Sequence, residues 1–109
     1  MKPPGEEILP LIQDVPRARS SVAWTKLPDG AVLFSPESEV YFSVNQTGAL
    51  IWELLVSEEF GGDIEAICAS VRERFPDVTP MQVRDDVGEI LNAFADNNLL
   101  AESARKFVA

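Results

Sequence analysis

Three close pairs of carboxylates are the residues in this sequence whose types and spacing could do chemistry: Glu58 with Glu59, Asp85 with Asp86, and Glu37 with Glu39. Two carboxylates in one pocket can divide acid and base work, because burial and mutual repulsion drive their pKa values apart. Nothing around these pairs encodes an enclosing pocket, so they read as solvated acidic faces. The sequence has no histidine, which removes the commonest general base and the commonest metal ligand. Its single cysteine, Cys68, falls in an apolar helical stripe with no second ligand at metal spacing, and reads as core. There is no Gly-rich phosphate loop and no Ser/His/Asp set. The expectation is a protein with no catalytic residues, no cofactor and no metal, that is, not an enzyme.

Composition narrows the partners. At 109 residues and 46% hydrophobic content the chain is expected to form one domain with a small core. The net charge of −9 repels phosphate backbones and anionic membrane surfaces, so neither nucleic acid nor membrane is an expected partner. No apolar run has the length of a membrane span. The opening Met-Lys-Pro-Pro-Gly-Glu-Glu lacks the basic-then-apolar pattern of a signal peptide, and a lone cysteine suits a reducing compartment; a cytoplasmic protein is expected.

The elements that must position any site centre on residues 39–56. Val40, Phe42 and Val44 alternate with Glu39, Tyr41 and Ser43, the period of a strand. Asn45 ends that strand and caps a helix, with Val44 and Ala49 placed for a weak hydrophobic staple. The helix is apolar nearly all round, at Leu50, Ile51, Trp52, Leu54, Leu55 and Val56, so it must be covered by other elements. Upstream, residues 22–27 and 31–35 read as strands, joined by Pro28-Asp29-Gly30, a hairpin signal. Pro36-Glu37-Ser38 is the next turn, and the three strands form a meander with the third at an edge.

Downstream, Asp63 caps a second helix whose stripe is Ile64, Ile67, Cys68, Val71 and Phe75. Thr79-Pro80-Met81-Gln82 opens a third, with Thr79 as cap, Pro80 in the first helical position and Gln82 placed to complete a capping box. Its stripe is Val83, Val87, Ile90, Leu91 and Phe94, with Gly88 in the middle as a point of close backbone approach. Leu99 and Leu100 pack back. Residues 1–21, with four prolines and the apolar patch Ile8, Leu9, Leu11 and Ile12, read as an extended arm; residues 22–102 are the domain and 103–109 a flexible tail. The fold class is α+β, three antiparallel strands followed by three helices.

Two helices joined by a short turn suggest a helix-turn-helix, but the third helix offers Asp85, Asp86, Glu89 and Asp96 against one Arg84, a face that repels DNA. An edge strand beside an amphipathic helix is instead the layout for capturing a peptide as an added strand. A winged helix-turn-helix transcription regulator, and a structural partner domain binding a folded protein, are the alternatives.

The run Ala31-Val-Leu-Phe-Ser-Pro, the block Asn45-Gln-Thr-Gly-Ala-Leu-Ile-Trp-Glu-Leu-Leu and the closing Asn97-Asn98-Leu-Leu resemble the PqqD family of peptide chaperones. The likeness spans about residues 22–102. It implies a compact winged helix-turn-helix variant. It also implies a recognition element that binds the leader of a ribosomally made precursor peptide and presents it to a modifying enzyme or leader protease. Carried onto this sequence, the leader pairs with Glu39, Val40, Tyr41, Phe42, Ser43 and Val44. It lies against a third-helix lining of Arg84, Val87, Gly88, Leu91 and Ala95. The loop at 57–62 is longer and more acidic than the family's usual turn, and lacks the Cys-Asp-Gly of members serving quinone-cofactor synthesis. The sequence is equally similar to the stand-alone chaperones of lasso-peptide leader proteases.

Overall fold

The computed structural model describes Val15, residues 17–57 and residues 63–101. The proline-rich arm up to residue 14, the Glu58–Glu59 pair with its loop, and the tail from residue 102 lie outside the described residues. Strands β1 (Ala23–Leu27), β2 (Gly30–Ser35) and β3 (Val40–Asn45) form an antiparallel sheet in the order β1-β2-β3. Helices α1 (Gln46–Val56), α2 (Ile64–Arg74) and α3 (Pro80–Asp96) follow. The α+β meander-then-helices reading holds.

Strand alternation decides which face is covered. Ala31, Leu33 and Ser35 of β2 are fully buried. Their register partners place Trp24, Phe42, Val44 and Val40 on the same inner face. Val32, Phe34 and Tyr41 stand on the other face. Gly30 closes the first hairpin. A Cβ there would sit 1.9 Å from the Val44 carbonyl oxygen, so the two backbones meet only because this residue has no side chain.

Each helix starts where a side chain replaces a missing backbone acceptor. Asn45 Oδ1 accepts from Gly48 N at 2.9 Å, Asp63 Oδ1 from Ala66 N at 2.7 Å, and Thr79 Oγ1 from Gln82 N at 3.2 Å. The expected capping box at α3 is only half made, because the Gln82 side chain donates to Asp86 instead of turning back to the cap.

The core lies between the inner sheet face and the helices. α1 packs on β2, β3 and α2, and α2 packs on α3. Trp52 is fully buried and meets Phe94 of α3 edge-to-face at 5.4 Å. The expectation that α1 is covered all round needs correction: Leu50 and Leu54 are half-buried and Val56 is exposed, since only one side of the helix faces the sheet.

The last residues of the arm are tied to the domain rather than extended away from it. Val15 is buried. Ala18 bridges Leu100 as a short antiparallel contact, with Arg19 N donating to the Leu99 carbonyl at 2.9 Å and Ala101 N to the Arg17 carbonyl at 2.8 Å. Backbone groups that would otherwise lie unpaired against the core find partners in this strap.

Candidate functional site

β3 hydrogen-bonds β2 on one side and no strand among the described residues on the other. Its side chains are unusually open: Tyr41 is 71% exposed and Val40 42%, with Ser43 exposed and Phe42 and Val44 half-buried. The expected strand 39–44 is displaced by one residue. Glu39 belongs to the turn, has φ of 59°, and donates its N–H to the Ser35 carbonyl at 2.7 Å. Its backbone donor is therefore used up within the turn, and an acidic residue in the left-handed region is held there by that bond.

The phase of the ladder follows from the same turn. Opposed residues in an antiparallel pair alternate between hydrogen-bonded and non-hydrogen-bonded kinds, and side chains come closer in the second. The turn closes on Ser35, and the next pair, Phe34 with Tyr41, brings its rings to 4.7 Å. That phase turns the backbone N–H and C=O of Tyr41 and Ser43 outward, and aims those of Val40, Phe42 and Val44 at β2. Sequence reasoning misses the Phe34–Tyr41 contact. Counting outward from the Pro36-Glu37-Ser38 turn is the signal that would find it, since the turn length sets which residues face each other.

The helix residues expected beside this edge divide. Val87 and Leu91 are fully buried, and Gly88 and Ala95 are buried too, so all four belong to the core face of α3. Arg84, half-buried, reaches Glu65 of α2 in an ion pair. Ile90 packs against the core from a half-buried position, and Met81 in the first turn is open to solvent. The turn before β3 and the C-terminal end of α3 lie beside one another: Arg19, Glu37 and Asn98 line a hollow of about 210 Å³. Within it Arg19 Nε donates to the Asn98 carbonyl at 2.9 Å. Ser21 Oγ bonds the Glu37 carboxylate at 3.0 and 3.2 Å.

Glu37 and Asp85 are exposed, and Asp86 is half-buried beside the Gln82 amide that donates to it. Among the described residues no group of His, Cys, Asp or Glu could hold a metal ion. Cys68 is fully buried. Burial pushes its thiol pKa up, with Glu65 adding to the rise and Arg84 and Arg72 opposing it, which makes it a poor nucleophile. No helix among the described residues is long and apolar enough to cross a membrane. What the arrangement offers is an open row of backbone donors and acceptors flanked by aromatic and acidic side chains.

Residues 30–100 match the model of a family described as Coenzyme PQQ synthesis protein D (PqqD). No curated protein matches. A solved structure described as TbiB1 in Complex with the TbiA(beta) Leader Peptide superposes with a TM-score of 0.68 at 27% identity, over 82% of this chain and 99% of that one.

Proposed function

The chain belongs to the PqqD family, and from that premise we propose that it binds the leader of a ribosomally made precursor peptide. The leader adds as a strand to β3, and the complex is presented to a modifying enzyme or leader protease. One observation carries the reading: β3 is an open edge whose outward backbone groups, on Tyr41 and Ser43, have no strand beside them among the described residues. The TbiB1 structure supports it, since that related chain is described in complex with a leader peptide. The layout is then a winged helix-turn-helix variant turned from nucleic acid to peptide. The exposed Asp85, Glu89 and Asp96 of α3, with Arg84 already paired to Glu65, weigh against a DNA reader.

Arg84, Val87, Gly88, Leu91 and Ala95 stand behind the peptide in this proposal. Because four of the five are buried, their part is to hold α3 in place, and substituting them acts on the fold before it acts on the peptide. Amide chemical-shift mapping with the TbiA(beta) leader peptide or a candidate precursor tests the proposal. Perturbed amides on Tyr41, Ser43 and their neighbours support strand addition. Perturbation confined to β1 or α2, with β3 unmoved, overturns it.

A further inference from the structure

Every aromatic residue among the described residues is buried or half-buried except one. Tyr41 is 71% exposed, and it stands on β3, beside the open edge. The register keeps it on the face of the sheet away from the helices. It lies opposite Phe34, whose neighbours Leu33 and Ser35 are buried on the helix side. Across the sheet this level is a row: Ala23 on β1, Phe34 on β2 and Tyr41 on β3. Phe34 meets the Tyr41 ring from the β2 side, with centroids 4.7 Å apart and planes tilted by 41°. Residues level with one another on adjacent strands point to the same face, so a strand added to β3 continues the row beside Tyr41. The next outer row is Val32 and Ser43, where the edge position offers a small hydroxyl and no ring.

From this register we propose that Tyr41, backed by Phe34, is a specificity-determining residue that reads an aromatic side chain of the leader on the outer face of the sheet. The leader residue level with Tyr41 sets its ring against the side of the Tyr41 ring that Phe34 leaves open. An aromatic side chain is favoured over an aliphatic one because it adds offset or edge-on ring contact to the area it covers. Two residues along, the leader position level with Ser43 meets no ring and is not selected for one. The residue between them points to the helix side. The proposal rests on strand addition to β3, and adds that the peptide is also read on the solvent face of the sheet, where no helix takes part.

The probe is the TbiA(beta) leader peptide, with cross-strand proton contacts identifying its residues level with Tyr41 and Ser43. Each position is set in turn to Phe and to Thr, both of which suit a strand. The peptides are titrated calorimetrically into the native chain, Tyr41→Phe and Tyr41→Thr. At the Tyr41 level the Phe peptide should bind about threefold to tenfold more tightly than the Thr peptide, in the native chain and in Tyr41→Phe, as for an aromatic pair. That preference should vanish in Tyr41→Thr, the result that assigns it to this side chain. At the Ser43 level the same swap should not discriminate. Tyr41 is the chain's one tyrosine, so its ring protons are a single reporter, and they should shift far more with the Phe peptide than with the Thr peptide. Equal affinities in the native chain, a preference that survives in Tyr41→Thr, or an equal preference at the Ser43 level would each overturn the proposal. If the β3 amides shift while the preference is absent, strand addition stands and only the reading by Tyr41 falls. A peptide that binds and leaves the β3 amides unmoved removes both.

Discussion

Trp52 couples two helices. It stands on α1, is fully buried, and meets Phe94 of α3 edge-to-face, so removing it empties the contact between them. Trp52→Ala should cost about 3–5 kcal/mol, read as a lowered thermal or urea midpoint; an unchanged midpoint would show that the indole is not core. Cys68 makes a prediction in pH. Its folded pKa is raised above the ordinary thiol value of 9.0, which the unfolded chain retains, and burial is the chief cause. The unfolded state therefore loses its proton first as pH rises, so the thiol's contribution is intact below that value and declines above it, until the folded thiol ionises. Between about pH 7 and about pH 10 the native chain should lose more stability than Cys68→Ala does, by urea unfolding at each pH. Equal losses would place the alkaline sensitivity elsewhere.

At the level of elements, β3 carries two kinds of position. Tyr41→Pro and Ser43→Pro delete outward N–H groups, which only a peptide would use, so both variants should fold and lose leader binding. Phe42→Pro deletes an N–H aimed at β2 and should damage the sheet itself. Circular dichroism paired with calorimetric titration separates the two; a Tyr41→Pro chain that still binds would mean the peptide uses another surface. The passage from β3 into α1 is equally exacting. Alanine is the better helix former by about 1 kcal/mol, yet a Cβ on Gly48 would lie 2.8 Å from the Cβ of Val44. Gly48→Ala should therefore lower the thermal midpoint, against the direction that helix propensity alone predicts.

The molecule as a whole is acidic, with a net charge of −9, and acidic side chains flank the proposed peptide edge at Glu37 and Glu39. A leader with basic residues near these positions should bind more weakly as salt rises, because exposed charges are screened within about 10 Å at 0.1 M salt. Isothermal titration in low and high salt measures this. An affinity independent of salt would leave backbone pairing and apolar contact as the whole of the interaction. On α3 the exposed carboxylates outnumber the one arginine, which weighs against nucleic acid at that face.

Period, caps and turn chemistry are local, and the sequence by itself determined them. The Asp-Gly hairpin, the alternation of Val40, Phe42 and Val44, and the caps at Asn45, Asp63 and Thr79 all depend on residues within a few positions of one another. The family likeness is local too, carried by the block from Asn45 to Leu55. Choices between competing partners were left open: Glu39 leaves the strand for its bond to Ser35, and Gln82 abandons the capping box for Asp86. The stripe of α3 marks Val87 and Leu91 as apolar but cannot say whether an apolar side chain faces core or ligand, since both reward the same chemistry; burial alone assigns them to the core. Arg17 and Arg19 are drawn against Val56 and Asn98, residues far along the chain. Long-range hydrogen bonds of that kind leave no periodic trace, so the tertiary structure alone decides where they form.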